Sequence, residues 1–313
     1  GNKKDITDMR GAIEFLKQEG DLLTAKAPVD PIYEIAGIQV ALEEGPALFF
    51  ENLKGYPGMR SVGNIFSRRD RIARLFDVDD WKQLKWKCLE AIKHPLPPKV
   101  VKKAPSQEVV YKGKNIDVQK LLPVLKHTTR DGARVCGSGN VLICDQWARG
   151  GNEFSYKRMH FLGKDWASIT SSPATHTEAI IFMDHRKENV PMTININNSP
   201  AAMMVAAAGG VHSIIPLGTD EIAIAGALQG TPEEIVKAKT VDAYALAKAE
   251  IVIEGYWTTE TIWETEEAEK DGRQDVVPFF PEWTGYLGKT WKSRKFQITG
   301  ITHRKNPIFY NQL

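Results

Sequence analysis

The chain has 313 residues, more than one average domain holds, so its length favours two domains. Hydrophobic residues make up 42% of the sequence, which allows a substantial core, and the formal net charge is only +2. Because charges of both signs are well mixed, the sequence lacks the basic footprint of a nucleic-acid-binding protein, and we expect no nucleic-acid partner.

The first third of the chain alternates helix and strand signals. Such alternation is typical of an α/β domain. A proline-rich stretch, 94–99, is too rigid to be helical and precedes the expected domain boundary. We therefore predict an N-terminal α/β domain over residues 1–115. Its predicted helices are 9–18, 31–42 and 70–76, and its predicted strands are 22–27 and 47–51.

The following residues read mostly as strands with inserted helices. Residues 154–162 alternate in polarity, 163–165 form a turn, and 166–170 return, which predicts a hairpin. Ser199 and Pro200 begin a predicted helix of small residues. We place a mostly β domain at 116–300 and the start of a linker at 301–313. Its other predicted strands are 135–145, 191–197, 249–257 and 296–302.

Two further segments carry specific local predictions. Thr231-Pro232-Glu233-Glu234 has the pattern of a capping box with proline in the first helical turn, which predicts a helix start. Residues 258–271 are rich in Glu and Thr, and clustered charges usually face water. We expect a solvated acidic lid or loop there.

The cysteine content and the hydropathy of the sequence indicate the cellular compartment of the protein. The three cysteines, Cys88, Cys136 and Cys144, are too few and too scattered for a disulfide framework or a zinc site. No apolar run reaches about 18 residues, so no membrane span is expected. The N-terminus also lacks the apolar stretch of a signal peptide. Together these features favour the cytoplasm.

Four segments combine polar side chains with turns. In a strand at 150–160, Glu153, Ser155 and Lys157 share one face, while Arg158 and His160 occupy the other. An exposed strand with salt bridges is the ordinary alternative. The other three segments are 173–176 with His176, 218–221 with Glu221, and 278–286 with Glu282.

The chemistry of these side chains is suggestive only when they are combined. Carboxylate, imidazole and hydroxyl groups suit Mn²⁺ or Mg²⁺ holding a phosphate. Glu282 lies between aromatic residues, and partial desolvation would suit it to proton donation. A structural His176, a helix-capping role for the acidic residues at 220–221, and a solvated Glu282 remain the alternatives.

The order of several segments resembles the UbiD family. In the N-terminal region, 30–55 and 61–66 are similar to that family. Further along the chain, so are 226–237, 249–255 and 282–286. The ordered set runs from about residue 8 to residue 309. The resemblance implies an α/β N-terminal domain, a split β-barrel flavin-binding domain, and a family C-terminal domain that is absent from this chain.

The resemblance also implies an activity and its cofactors. UbiD enzymes reversibly decarboxylate or carboxylate aromatic or α,β-unsaturated acids, with CO2 as the second partner. They use prenylated FMN, which a flavin prenyltransferase supplies, together with Mn²⁺ (or Mg²⁺) and K⁺. The cofactor performs the difficult chemistry, and the protein positions it. A homo-oligomer, dimer or hexamer, is the expected assembly.

Site residues carry over by position from the resemblance. Arg158 and Glu282 take the catalytic roles: Arg158 holds the substrate carboxylate, for which a guanidinium is well shaped, and Glu282 donates the proton. The implied metal ligands are Glu153, His176 and Glu221. The implied cofactor contacts are Asn152, Ser155, Arg158, Thr175, His176 and Ile214.

Two departures from the family pattern stand out. The family has a metal-binding Asn five residues before the Arg, where this chain has Glu153, and strand parity favours Glu153 over Asn152 as the oxygen ligand. The family also has a second Glu at the position of Val277. Asp275, or a Glu from a local insertion at 257–276, is the expected substitute.

Two other functions remain open. The chain could be an auxiliary, non-catalytic subunit of a UbiD-like carboxylase complex. It could instead be a plain FMN-binding oxidoreductase of split-barrel type, although the sequence has no dinucleotide-binding glycine motif.

Overall fold

The computed structural model describes residues 3–208, 214–273, 275, 280–281 and 286–313. Within those residues the α-helices are α1 (Met9–Gln18), α2 (Glu34–Ala41), α3 (Arg69–Leu75), α4 (Leu84–Lys93), α5 (Val118–Leu121), α6 (Pro200–Ala208), α7 (Glu221–Gln229) and α8 (Glu266–Asp271). Short 3-10 turns occur at Trp81–Gln83, Pro105–Gln107 and Gly113–Asn115, and a π-helical segment at Glu178–Asp184.

The strands, numbered in chain order, are distributed over several sheets. They are β1 (Leu22–Ala25), β2 (Ala47–Phe50), β3 (Arg60–Gly63), β4 (Lys99–Val101), β5 (Val109–Lys112), β6 (Arg134–Cys136), β7 (Gly139–Ile143), β8 (Glu153–Tyr156), β9 (Arg158–Phe161), β10 (Trp166–Thr170), β11 (Val190–Ile196), β12 (Glu234–Lys237), β13 (Tyr244–Leu246), β14 (Ile251–Trp263), β15 (Phe280–Pro281), β16 (Leu287–Gly288), β17 (Lys292–His303) and β18 (Ile308–Asn311).

The N-terminal unit is an α/β structure, as predicted. Its sheet has the order β1-β2-β3-β18. Helix α1 has the predicted bounds: the Asp8 side chain accepts a hydrogen bond from the Gly11 amide at the N-cap, and Met9, Ala12, Ile13 and Leu16 are buried on one face. The amphipathic spacing thus determines both the helix and the face that packs.

The segment 301–313, predicted as the start of a linker, contains the end of β17 and all of β18. Strand β18 pairs in parallel with β3 of the N-terminal sheet, with Phe309 opposite Ser61. The end of the described chain therefore packs into the N-terminal unit. The domain limits at residues 115 and 300 remain predictions.

The second unit is built on one large antiparallel sheet with the order β6-β9-β10-β17-β14-β11-β7-β8. The sheet curls back on itself, because β6 and β7 follow each other closely in the chain, as do β8 and β9. These two segments form a single ribbon, with Val135 opposite His160 before the break and Val141 opposite Ser155 after it. The predicted split-barrel class is confirmed, as is the β9–β10 hairpin.

The ribbon shifts register by one residue near Lys157, because residues 137–139 of one strand face only residues 157–158 of the other. Lys157 lies between β8 and β9, and its amide donates a hydrogen bond to the Gly139 carbonyl over 3.2 Å. Such bulges bend a strand and redirect its side chains, and they are common beside functional sites. The expected continuous strand at 154–162 is therefore two strands.

Helices α6 and α7 pack against each other in a hydrophobic core that also includes residues of α1 and β8. As predicted, α6 begins after Ser199, whose hydroxyl accepts a hydrogen bond from the Ala202 amide over 3.1 Å and donates one to the Glu233 carboxylate. The predicted helix after Thr231 is wrong. Residues Glu234–Lys237 form β12, which pairs with β4 and β13, and Glu233 instead anchors the cap of α6.

The acidic segment 258–271 is also not a solvated loop. Strand β14 continues to Trp263, and α8 follows, capped by the Thr265 hydroxyl, which accepts a hydrogen bond from the Ala268 amide. Glu264, between these two elements, is only 1% exposed. The prediction of solvent exposure is correct only for the acidic residues of α8, which are Glu266, Glu267 and Glu269.

Two simpler expectations can be compared with the structure. Cys88, Cys136 and Cys144 are free thiols. Across the described residues, none of the helices is both long enough and apolar enough to cross a bilayer.

We predict that Glu233→Gln stabilises the protein more strongly at pH 8 than at pH 5. Burial raises the pKa of Glu233 from 4.5 to about 7. The folded state therefore favours the protonated acid, and this contribution, complete below pH 4.5, is lost as the pH rises through 7. A glutamine carries no such cost, so urea unfolding should show a pH-dependent gain of about 1–3 kcal/mol.

The control is Glu234→Gln, because the neighbouring carboxylate is only partly buried. This variant should follow the pH dependence of the unmodified chain. A stability difference between Glu233→Gln and the unmodified chain that stays constant from pH 5 to 8 would contradict the prediction.

Candidate active site

The polar segment at 150–160 is held by a close backbone contact between strand and helix. A Cβ on Gly151 would lie 2.1 Å from the Gly218 carbonyl oxygen, so only glycine fits. Beside it, the Glu221 amide donates to the Asn152 carbonyl oxygen over 2.9 Å. We call this the Gly151 contact: Gly151 and Asn152 against Gly218, Thr219 and Asp220. It fixes the start of β8 against the N-terminus of α7.

Asn152 and Asp220 strengthen this contact with their side chains. The Asn152 amide group donates to Asp220 Oδ2 over 2.9 Å, and its oxygen accepts from the Asp145 amide over 3.1 Å. Asp220 Oδ1 in turn accepts from the Ala223 amide over 3.0 Å and caps α7, as a residue at this position usually does. Both polar ends of the Asn152 side chain thus have structural partners.

The three predicted metal ligands lie close to one another. Glu221 Oε1 is 3.4 Å from His176 Nδ1, and its Oε2 accepts from the Phe154 amide over 2.6 Å. The Thr177 hydroxyl donates to Glu153 Oε1 over 3.0 Å. Glu153, His176 and Glu221 are each no more than 4% exposed. Chain segments that are distant in sequence therefore bring two carboxylates and an imidazole into one buried region.

The charges of this group influence one another. Burial raises the pKa of Glu221 to about 7, and the nearby Glu153 charge acts in the same direction. The pKa of His176 is raised mainly by its contact with Glu221. Two buried carboxylates side by side are unfavourable without a cation.

The donor chemistry suits a hard divalent cation, because carboxylate oxygens and an imidazole nitrogen are its usual protein ligands. Glu153 Oε2 is buried and has no hydrogen-bond partner among the described residues, so one oxygen is available. Over the same residues, no group of three or more His, Cys, Asp and Glu side chains is arranged to hold a metal ion. The three side chains are gathered, but they do not form a finished coordination shell.

Arg158, at the start of β9, makes a two-pronged ion pair. Its Nε donates to Glu264 Oε1 over 2.9 Å, and its Nη2 donates to Oε2 over 3.1 Å. Glu264 also accepts from the Trp291 amide over 2.9 Å and from the Thr170 hydroxyl. A carboxylate with four donors is firmly held in one orientation.

Glu264 is the site residue that sequence reasoning did not single out. The local insertion at 257–276, which contains Glu264, is expected to supply a substitute for the family Glu at Val277. Its acidic part was predicted to be solvated, so Glu264 was not named. The available signal was the position of Glu264 just after Ile262 and Trp263, at the end of a strand that turns inward. Val277 and Glu282 lie outside the described residues. Asp275 is described, and its Oδ1 lies 3.5 Å from Arg273 Nε in an ion pair.

His160 lies two residues beyond Arg158 and is almost fully buried. Its Nδ1 is 3.8 Å from Glu264 Oε1. Burial lowers the pKa of His160 to about 4, even though the Glu264 charge opposes this shift. The imidazole beside the Arg158–Glu264 pair is therefore neutral near pH 7.

The other predicted cofactor contacts, Ser155, Thr175 and Ile214, differ in burial and in hydrogen bonding. The Ser155 hydroxyl is buried and lies 3.4 Å from the Thr177 hydroxyl. The Thr175 hydroxyl donates to the Ser172 carbonyl and accepts from the Glu178 amide, so it closes the turn before His176. Ile214 is 46% exposed. The structure thus places Ser155 beside Glu153 and leaves Ile214 at the surface.

Comparisons with known families agree with this architecture. The family model of the 3-octaprenyl-4-hydroxybenzoate carboxy-lyase Rift-related domain, UbiD, matches residues 99–313. The model of the N-terminal domain of the same carboxy-lyase matches residues 13–86. Because these matches cover most of the chain, the protein belongs to the UbiD family of carboxy-lyases.

Two individual relatives are decarboxylases named for aromatic acids. Gallate decarboxylase from Lactiplantibacillus plantarum is 27% identical over 317 residues, covering 96% of this chain and 63% of that protein. A 3,4-dihydroxybenzoic acid decarboxylase structure from Enterobacter cloacae is 28% identical with a TM-score of 0.84, covering 97% of this chain and 64% of that one.

A third relative was solved with the cofactor. An evolved dimeric form of the UbiD-class enzyme HmfF from Pelotomaculum thermopropionicum, in complex with prenylated FMN, is 27% identical with a TM-score of 0.84. The match covers 97% of this chain and 67% of that one. The chain therefore spans about two thirds of the length of these relatives.

We predict that Gly151→Ala destabilises the protein by about 1–3 kcal/mol or more, because the added methyl group would overlap backbone atoms that cannot move independently. The matched control is Gly37→Ala in α2, where a Cβ meets nothing within 4 Å. That change should be neutral or stabilising by up to about 1 kcal/mol. Urea unfolding of both variants measures the difference, and equal stabilities would show that the Gly151 contact is not tight.

Proposed function

We propose that this chain provides the prenylated-FMN and metal-binding part of an enzyme that reversibly decarboxylates an aromatic acid. An α,β-unsaturated acid is the second substrate class. The observation that carries the proposal is the buried group of Glu153, His176 and Glu221 on a UbiD-family fold. Relatives that act on gallate and on 3,4-dihydroxybenzoate support an aromatic substrate.

In this proposal Glu153, His176 and Glu221 hold Mn²⁺ or Mg²⁺, which binds the cofactor phosphate. Glu153 is preferred over Asn152 because both polar ends of Asn152 have protein partners, while Glu153 Oε2 has none among the described residues. Ser155, Thr175 and Ile214, with Asn152, Arg158 and His176, remain predicted cofactor contacts. When bound, the prenylated flavin supplies the electron sink for loss of CO2.

Arg158 orients the substrate carboxylate, and Glu264 fixes the guanidinium. Glu264 takes the role that the family assigns to a Glu at the position of Val277. The support is its two-pronged contact with Arg158 and its burial. An arginine paired on one side with a carboxylate has its guanidinium held in a fixed orientation. Glu282 remains the predicted proton donor.

The proposal also includes assembly and cofactor supply. A flavin prenyltransferase would provide the cofactor, and a dimer or hexamer is the proposed assembly, since one relative is described as dimeric. An auxiliary, non-catalytic subunit is the alternative. Vanillic acid decarboxylase from Sedimentibacter hydroxybenzoicus (ShVdcCD), one structure of which contains a truncated ShVdcD, is a relative with more than one component. Family membership favours a lyase over a flavin oxidoreductase.

The test is production of the chain in a host that also makes the flavin prenyltransferase. Mass spectrometry should find prenylated FMN in the purified protein, with manganese or magnesium. The protein should then release CO2 from gallate, 3,4-dihydroxybenzoate or vanillate. Bound cofactor without any CO2 release or bicarbonate exchange would support the auxiliary subunit. A protein that binds no flavin would refute the proposal.

We predict that Arg158→Ala abolishes CO2 release and leaves the flavin bound, because the variant loses the group that orients the carboxylate. Removal of a positioning contact of this kind commonly costs about 10²-fold or more in rate. Arg186→Ala, at an exposed arginine, is the control and should keep full activity. Turnover that survives in Arg158→Ala would remove this residue from the mechanism.

We further predict that Glu264→Gln lowers turnover by about 10²-fold with flavin content unchanged. Glutamine keeps the shape of the side chain, but it offers Arg158 one acceptor oxygen in place of two. Exposed Glu267 in α8 provides the matched control, as Glu267→Gln. Steady-state rates and flavin absorbance measure both effects. If the two variants behave alike, Glu264 has no special role.

A further inference from the structure

Lys157 is a buried lysine at the register break between β8 and β9. Only 8% of its surface is exposed. Its backbone amide is held by the Gly139 carbonyl, so the position of the residue is fixed by the ribbon. The side chain, in contrast, has neither a hydrogen bond nor an ion pair within 4.0 Å among the described residues.

The surroundings of Lys157 show which ligands it faces. Burial lowers the pKa of Lys157, and the charges of Glu153 and Glu221 oppose this shift, so its amino group lies in the region of the predicted metal ligands. Burial of an ammonium group without a close anion is costly, and proteins retain such a group where a ligand supplies the missing partner. Because the two carboxylates lie beyond ion-pair distance, an anion between them and Lys157 would satisfy it.

The charge balance of the site indicates what that anion is. Once metal binding has deprotonated both carboxyl groups, they and a phosphate monoester carry together roughly three and a half to four negative charges. A divalent cation offsets only half of this, so a further positive charge is needed. An ammonium is a compact point charge that suits phosphate, whereas the guanidinium of Arg158 is shaped for a carboxylate.

We propose that Lys157 is a phosphate-binding residue of the flavin site and that its ammonium replaces the K⁺ ion expected from the family resemblance. The inference rests on the proposed function, since it assumes that a flavin phosphate binds beside Glu153 and Glu221. It adds a residue that the resemblance did not assign. The chain would then bind its cofactor phosphate with one divalent cation and no monovalent one.

The test is binding of FMN and of riboflavin, which lacks the phosphate, to the purified chain with Mn²⁺ present. Flavin fluorescence quenching gives both affinities. Lys157→Met, uncharged and similar in length, should weaken FMN binding by about tenfold or more while riboflavin binding stays unchanged. Lys157→Arg should retain most of the FMN affinity. Lys164→Met, at an exposed turn lysine, should match the unmodified chain.

Exchange of K⁺ for tetramethylammonium tests whether the Lys157 ammonium replaces the K⁺ ion. FMN affinity of the unmodified chain should not change, and Lys157→Met should bind FMN better in K⁺ than in tetramethylammonium. A strict K⁺ requirement in the unmodified chain would overturn the replacement of this ion by Lys157. Thermal melting checks folding, and Lys157→Gln serves as the neutral variant if Lys157→Met melts early.

The other outcomes separate this inference from the proposed function. If the unmodified chain binds FMN and Lys157→Met binds it equally well, the role of Lys157 is refuted and the proposed function stands. Equal losses of FMN and riboflavin binding in the variant would also refute a phosphate contact. If the unmodified chain binds no flavin, both proposals fail together.

Discussion

The close contact between Gly151 and the backbone at Gly218, Thr219 and Asp220 is the constraint on which the candidate site depends. It lets a strand of the curled sheet touch the N-terminus of α7, so that the Asn152 carbonyl accepts from the Glu221 amide. Because Glu221 also accepts from the Phe154 amide, its carboxylate is oriented by the strand that carries Glu153. A side chain larger than hydrogen at residue 151 would separate the two elements, and with them the two carboxylates.

The buried carboxylates of the protein differ in how many of their oxygens have hydrogen-bond partners. Glu264 has four donors and is complete within the chain. Glu153 keeps one oxygen without a hydrogen-bond partner among the described residues, and Lys157 makes no ion pair within 4.0 Å there. A protein that satisfies one buried carboxylate so fully leaves others incomplete where a ligand completes them. The contrast distinguishes Glu264, whose partners lie within the chain, from Glu153, which belongs to the proposed metal site.

Much of the fold could be predicted from local patterns. Helix α1 has its predicted bounds because a cap and an amphipathic spacing coincide there, and the β9–β10 hairpin follows from alternation around a tight turn. The capping-box pattern at Thr231 failed because the backbone after Glu233 pairs with β4 and β13, and tertiary pairing outweighs a four-residue signal. The acidic segment was misjudged for a related reason: composition describes α8, but it cannot show that Glu264 turns inward toward Arg158.

For the candidate site, too, the sequence predicted which residues matter but not the contacts that they make. Residue types singled out the segments that carry Glu153, Ser155, Arg158, His176 and Glu221, strand parity favoured Glu153 over Asn152, and the family resemblance implied the role of each residue. None of these could reveal that Asn152 is occupied on both sides by aspartates, since Asp145 and Asp220 come from separate loops. The one-residue register shift opposite Lys157 was equally hidden, because its extra residue lies in 137–139, inside the segment predicted as one strand at 135–145. The structure adds that Lys157 is buried and makes no ion pair within 4.0 Å among the described residues, and this is why we propose that it balances the charge of the site.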